Sequence, residues 1–310
     1  MGTSPRLFGL DTVMIDVVLK IAGLPSRGSD AVASDRLVTA GGGFNAMSAA
    51  ARQGMAVTYL GQVGTGPFAD MALDALARES IEVPLPSLEG LDLGLCIVLV
   101  DDDGERTFVT SPGAEGALSA GDLLRVGPDA GDYAFLSGYN FVYPQIRAAM
   151  MSWLRALHND VVVAFDPGPR VLDIPKETLQ EVMSRTDWFL CNRSEASSLS
   201  GDEAASASAR TLLEVTGARG VVVRDGERGC VGALVDGDVL EVHSIDTPVL
   251  DTNGAGDVHN GVLLAELARG TDELEALRRA NIGAAIAIGT FGPATCPARD
   301  VITERLAASY

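Results

Sequence analysis

Asp251-Thr252-Asn253-Gly254-Ala255-Gly256-Asp257 runs directly into residues 258–268, an apolar stretch with helical periodicity. Gly254 and Gly256 allow a tight turn that bares backbone amides where the helix begins. Free N–H groups and the positive end of the helix dipole make such a turn an anion site. Asp257 stands at its edge, placed to accept a proton from an attacking hydroxyl. A helix N-terminus favours the ionised carboxylate and weakens it as a base, whereas a bound phosphate pushes the other way. Read alone, the heptapeptide is equally an Asx-rich turn capping a helix, so the flanking chain must decide.

Outward from this turn, short apolar runs alternate with helical patterns. Residues 6–10, 56–62, 133–137, 161–165, 188–191 and 220–224 read as strands. Residues 45–53, 67–79, 143–157, 203–215, 256–268 and 272–288 read as helices. Near-continuous apolar strands between amphipathic helices imply a sheet covered on both faces, hence an α/β chain in three layers, α/β/α. Two stretches break the alternation. Residues 14–21 and 31–39 are strand-like with no helix between them. Residues 94–100 and 105–110 flank Asp101-Asp102-Asp103-Gly104, a hairpin turn. These four segments predict a small projecting sheet, inserted at about 13–39 and 92–111 in a single domain over 1–310. Beside a ligand cleft it would act as a lid, and pairing of its exposed edges would make a homodimer.

The 310 residues are 47% hydrophobic, enough for a large core, and no apolar run reaches the length of a membrane span. Met1–Pro5 carries no signal-peptide pattern, so the expectation is a cytoplasmic protein with no membrane partner. Cys96, Cys191, Cys230 and Cys296 are widely spaced and read as buried thiols rather than zinc ligands or a disulfide framework. The formal charge of −19, from 42 acids and 23 bases, repels a phosphate backbone and argues against nucleic acid as a partner. The only lysines are Lys20 and Lys176, and neither lies in a P-loop or in the strand context of protein kinases. Gly41-x-Gly43-x-x-Ala46 imitates the dinucleotide-binding pattern. The acidic ribose ligand expected about twenty residues on would fall at Gly61-Gln62, where there is no carboxylate, which disfavours hydride transfer.

Further segments carry polar groups in ordered sequence. Ala40-Gly41-Gly42-Gly43-Phe44-Asn45-Ala46 is a glycine run opening a helix. Asp166-Pro167-Gly168-Pro169-Arg170 follows a core strand, so Asp166 points into the crevice at the strand's carboxyl end. Asn192-Arg193-Ser194-Glu195 puts an amide and a carboxylate on one face of a helical turn, and Val221 to Gly229 reads as strand and turn.

Residues 251–261 resemble the C-terminal signature of the ribokinase-like (PfkB-type) carbohydrate kinases, D-T-x-G-A-G-D-x-F-x-G, with His259 where that family has Phe. The glycine run resembles the N-terminal signature, with Ala40 in place of its first glycine. The resemblance covers nearly the whole chain and implies a ribokinase-like sandwich that phosphorylates a hydroxyl of a sugar or sugar-like molecule with ATP and Mg2+. It implies Asp257 as the base and Gly254, Ala255 and Gly256 as the phosphoryl-holding turn. Asp16, Gly41, Gly42, Asn45 and Asp166 would contact the acceptor. Asn192, Glu195, Arg224, Gly226, Gly229 and Asn281 would line the nucleotide, with Mg2+ reached from Glu195 through water. Asp251 and the Asn253 carbonyl would hold a monovalent cation such as K+. Arg224 and Asp225 depart from the Thr-Leu usual before the turn glycine, and His259 reads as a packing variant. Two alternatives keep the fold: a nucleoside kinase, with Phe44 or Tyr139 stacking on the base, and a silent member that senses a sugar.

Overall fold

The computed structural model describes residues 4–103 and 105–309. Met1–Thr3 of the amino-terminal stretch, Gly104 of the hairpin turn and Tyr310 lie outside the described residues. Two sheets organise the chain. The larger contains β1 (Arg6–Leu10), β4 (Ala56–Tyr59), β7 (Tyr133–Ser137), β8 (Val162–Asp166), β9 (Trp188–Asn192), β10 (Gly220–Arg224), β11 (Cys230–Leu234) and β12 (Val239–Val242). The smaller contains β2 (Val13–Lys20), β3 (Asp35–Gly42), β5 (Leu95–Val100) and β6 (Arg106–Ser111).

The large sheet runs β12-β11-β10-β9-β8-β7-β1-β4. All its pairings from β4 to β10 are parallel, and β11 and β12 are added antiparallel. Strand side chains alternate between faces, and here the alternation divides two hydrophobic cores. Val162, Ala164, Trp188, Leu190 and Val222 join the core beneath helices Phe44–Arg52, Ala255–Arg269 and Glu273–Ala287. Val163, Phe165, Phe189, Val221 and Val223 join the core beneath Pro144–Ala156, Lys176–Arg185 and Ala205–Thr216. Both faces are thus dry, which is why these strands read as unbroken apolar runs. The three-layer α/β/α sandwich follows.

The small sheet runs β3-β2-β5-β6. Its outer strand β6 is exposed from Thr107 to Ser111, with Phe108 and Val109 more than half accessible. The glycine run is partly strand rather than loop: Gly41 and Gly42 end β3 and pair with Met14 and Val13. The strand expected at 31–39 therefore lies at Asp35–Gly42, and the one expected at 56–62 stops at Tyr59. β11, β12 and helices Lys176–Arg185 and Arg299–Ser309 are additions to the sequence reading. Lys176–Arg185 buries only Val182 and Met183, so its sequence carries little periodic signal.

Helices Phe44–Arg52 and Ala255–Arg269 pack at unusually close range because Gly261 faces the first of them. A Cβ there would lie 2.3 Å from the Ala46 carbonyl oxygen and 2.6 Å from the Ala49 Cβ. Alanine would gain about 1 kcal/mol of helix propensity but must force two helices apart. Gly261→Ala is expected to lose about 1–3 kcal/mol net, the usual cost of overpacking, measured by urea unfolding. A neutral or stabilised variant would show that this contact does not hold the helices together.

Candidate active site

Parallel strands that end in register deliver their last side chains to one edge. Ser137 of β7 aligns with Asp166 of β8, and Asn192 of β9 with Arg224 of β10. Asp11 follows the end of β1. The carboxyl ends of the sheet therefore collect carboxylates, an amide and one guanidinium, where open α/β sheets bind ligands.

The close helix pair brings the two glycine motifs together above this edge. Gly254, at φ +74°, turns the chain into helix Ala255–Arg269, whose first turn carries Asp257. Asn45, in the first turn of Phe44–Arg52, donates from Nδ2 to Asp257 Oδ2 at 3.1 Å, joining residues 212 apart in the chain. Its Oδ1 is buried with no hydrogen-bond partner. Burial pushes the Asp257 carboxyl up to about 6, the Asn45 amide restrains the rise, Asp166 adds to it and Arg224 opposes it. Asp16 of β2 is 8% exposed, and its carboxylate lies over Gly41, where a Cβ would sit 2.0 Å from Oδ2. Gly42 bends away at φ +62°. Asp16 makes no hydrogen bond or ion pair among the described residues, and burial and the charge of Asp257 push it up to about 7. Asp11 rises to about 7 for the same two reasons, chiefly burial. Asp11 and Asp16 thus both lie near enough to Asp257 to feel its charge. Phe44 is turned into the core, whereas Tyr139 is 40% exposed and its ring lies beside Gly168.

Arg224 binds the other carboxylates. Its Nη2 meets Asp166 Oδ2 at 3.0 Å and its Nη1 donates to Asn260 Oδ1, while Asn260 Nδ2 donates to Asp166 Oδ2 at 2.7 Å. Asp166, expected to contact the acceptor, is engaged by this ion pair through Oδ2. Burial works against the Arg224 charge, but Asp166 and Glu195 more than offset it and raise its pKa. The Arg224 Nε lies 3.3 Å from where a Gly256 Cβ would be, so the guanidinium overlies the turn that opens the helix. Asn192 and Glu195 form a reciprocal capping box on helix Arg193–Ser200: each side chain accepts the other's backbone N–H, at 2.9 and 2.8 Å. Glu195 uses only Oε2 for this. Burial and the nearby Asp166 push its carboxyl up, and Arg224 opposes the rise.

A cleft of about 620 Å³ opens on the far side of the turn. Arg224, Gly226, Gly229, Gly256 and Asn281 line its polar part, and Ile245, Val249, Ala285 and Ile288 its apolar part. The Asn281 Nδ2 is held by the Val242 carbonyl at 2.9 Å, which ties its helix to β12. His259 also borders the cleft. Its ring is 2% exposed, neither nitrogen meets hydrogen-bond geometry with a partner among the described residues, and burial, with the charge of Arg224, pushes its pKa down to about 3, so it packs as a neutral ring. Asp251, 5% exposed, accepts N–H bonds from Asn253 at 2.8 Å and Gly292 at 3.0 Å and is ion-paired with Arg106 of β6.

The expected residues thus fall on two sides of Gly254–Asp257. Asp16, Gly41, Gly42 and Asn45 lie on one side, and Arg224, Gly226, Gly229 and Asn281 on the other. The sequence reading missed Asp11, Asn260 and Arg106. Asn260 is three residues after Asp257 on the same helix, so spacing could have found it. Among the described residues, no group of three or more His, Cys, Asp or Glu side chains is placed to hold a metal ion directly, and no helix is long and apolar enough to cross a membrane.

Comparison with known proteins shows what the whole chain is similar to. The chain is 32% identical over 304 residues to a protein of Escherichia coli (strain K12) named "Uncharacterized sugar kinase YegV", covering 97% of this chain and 94% of that one. It is 28% identical to an ATP-dependent ribose-1-phosphate kinase of Halopiger xanaduensis, over 98% and 99% of the two chains. The Thermotoga maritima ribokinase superposes with a TM-score of 0.83 at 23% identity, over 98% and 100% of the two chains. The Burkholderia thailandensis nucleoside kinase, solved with inosine, gives 0.79 at 20%, over 98% and 97%. These two structures share the fold. The description "pfkB family carbohydrate kinase" matches residues 5–300, and the chain therefore belongs to that family, phosphotransferases whose acceptor is a hydroxyl group.

Proposed function

We propose that the chain transfers the γ-phosphoryl group of ATP to a hydroxyl of an uncharged sugar or sugar-like acceptor. One observation carries this reading. Asp257 stands at a helix-opening glycine turn, between a pocket with unpaired hydroxyl-binding groups and a cleft with a cationic floor.

In this reading Asp16 and the free Oδ1 of Asn45 accept hydroxyl protons from the acceptor, with Gly41 and Gly42 as the floor beneath it. Asp257 takes the proton of the attacking hydroxyl, and Asn45 fixes the carboxylate's orientation. The amides at Gly254, Ala255 and Gly256 and the helix dipole stabilise the charge on the transferring group. Arg224 answers the lack of a catalytic lysine by placing a guanidinium against the same turn, positioned by Asp166 and Asn260. The apolar wall of Ile245, Val249 and Ile288 suits a flat base, with Gly226, Gly229 and Asn281 at its border. Mg2+ fits the hard oxygen donors available: Glu195 Oε1 makes no hydrogen bond among the described residues, and repulsion between Glu195 and Asp166 favours a cation there. When bound, that ion spreads the charge of the phosphates. The small sheet serves as a lid over the acceptor, excluding water. With Phe44 buried, a nucleoside acceptor keeps only Tyr139 of its two expected stacking partners.

Asp257→Asn should bind ATP with unchanged affinity by calorimetry while kcat falls about 10²- to 10⁴-fold. Near-normal turnover by this variant would remove the base assignment. The base works ionised, and its pKa in the free enzyme is about 6. Log kcat/KM should accordingly fall as pH drops below about 7, where Asp16 takes up a proton, and more steeply below about 6, where Asp257 does. A profile flat down to pH 5 would contradict this. The acceptor pocket gathers Asp11, Asp16 and Asp257, and the charge of Asp257 raises the proton affinity of the other two. A phosphorylated acceptor would meet like charge. In an ADP-release screen over neutral sugars, sugar phosphates and nucleosides, the best acceptor should be a neutral sugar. Preference for a sugar phosphate would overturn the uncharged-acceptor reading.

A further inference from the structure

Asp251 is a buried carboxylate at the start of the helix-opening turn, and its charge is balanced by an arginine from the other sheet. Arg106, the first residue of β6, pairs through Nη2 with Asp251 Oδ1 and donates from Nη1 to Thr252 Oγ1 at 3.1 Å. Its side chain is 20% exposed, while the rest of β6 is open to solvent. A second contact lies on the other flank of the carboxylate. Asp251 Oδ2 accepts the Gly292 N–H, and Gly292 is pressed by Leu37 of β3, whose Cδ2 lies 2.4 Å from where a Cβ would be. The small sheet therefore meets Asp251 directly through a charge, and meets the Gly292 backbone that bonds its other oxygen through an apolar side chain.

This arrangement does not fit the monovalent cation expected at Asp251 and Asn253. Oδ1 is already shared by the Asn253 N–H and the guanidinium. One buried carboxylate facing two cations leaves a net buried charge, which is costly to desolvate and has no further partner. The guanidinium is permanently charged, matches a carboxylate in shape and is more weakly hydrated than an ammonium. Being tethered to the chain, it meets Asp251 at high effective concentration.

We propose that Arg106 supplies at Asp251 the positive charge that an alkali cation would otherwise bring, so that docking of the small sheet itself, rather than K+, sets the anion-binding turn. Asp251 orients the Asn253 amide two residues before Ala255, so its charge balance reaches the turn through the backbone. Arg106 is on this account a positioning residue. The inference rests on the kinase reading, but one arm of its test needs no turnover.

The test compares K+ with tetramethylammonium, an ion too large for a buried carboxylate, at equal ionic strength and with ATP supplied free of alkali metal. The wild-type chain should show the same kcat/KM, within about twofold, in both salts. Arg106→Ala should lose roughly tenfold in tetramethylammonium, a small part of a catalytic barrier, and recover in K+. In ligand-free melting, K+ should raise the midpoint of Arg106→Ala by mass action and leave the wild type unmoved. The double variant Arg106→Ala/Asp251→Asn should lose that K+ response. Tenfold activation of the wild type by K+, or a K+-dependent rise in its melting midpoint, would overturn the proposal. So would a folded Arg106→Ala that ignores K+ in both assays. If Arg106→Ala does not fold, the wild-type comparison decides alone. Absence of turnover with any acceptor would count against the kinase reading, while the melting comparison would still judge Arg106.

Discussion

Two helices separated by some two hundred residues of chain touch backbone to side chain at Gly261, and the positions of the other polar groups follow from that contact. Without it, Asn45 and Asp257 could not share a hydrogen bond, because each sits in the first turn of its own helix. Helix axes approach closely only where a side chain is missing, and small residues on both partners allow it here: Ala46, Ala49 and Ala50 on one side, Gly261 on the other. Packing geometry thus becomes chemistry. A carboxylate is buried at the positive end of a helix, held in orientation by an amide anchored in the core, and its proton affinity is raised into the range of a working base.

Burying that many acids requires compensation. Asp11, Asp16, Asp166, Glu195, Asp251 and Asp257 crowd the carboxyl edge of the sheet, and each would be expensive alone. The chain meets the cost with two arginines rather than with lysines. Arg224 is enclosed by Asp166, Asn260 and Glu195, and Arg106 closes over Asp251 from the small sheet. The side of the turn that holds Asp11 and Asp16 receives no such relief. Asp11 and Asp16 rise to about 7, carrying part of the cost as protons that an incoming ligand must displace or use. Charge is therefore sorted: the cleft side of the glycine turn is compensated by a guanidinium, and the side that holds Asp11 and Asp16 is left acidic.

Much of this was legible in the chain. Strands 133–137 and 220–224 were readable to the residue because both faces are buried, and the glycine turn announced its helix because Gly254 needs positive φ. What escaped lies in tertiary contact. Nothing in Asn192-Arg193-Ser194-Glu195 separates a capping box from a metal-organising pair, and in the fold the four residues form the first while leaving one oxygen for the second. Asp166 follows a strand, as expected, but only the three-dimensional pairing with Arg224 shows which way it is committed. Phe44 follows a glycine run and reads as a ligand contact, yet the strand character of Gly41 and Gly42 turns it inward. Arg106 was hidden because a single arginine on an exposed edge strand looks like solubility, and its partner is 145 residues away.

The unsatisfied groups explain why the small sheet matters energetically. An amide oxygen buried without a partner costs about 1–3 kcal/mol, and Asn45 Oδ1 is such an atom, in the same pocket as the unpaired Asp16. On the proposed reading, a polyhydroxyl acceptor would satisfy both at once, and part of its binding energy would come from pairing them. That gain is available only if water does not reach these atoms first, which requires the sheet bearing Asp16 to stay down. Arg106 and Leu37 hold that same sheet against the Asp251 turn. Asp16 and the arginine that balances Asp251 therefore belong to one sheet, and a displacement that moved one would loosen the other.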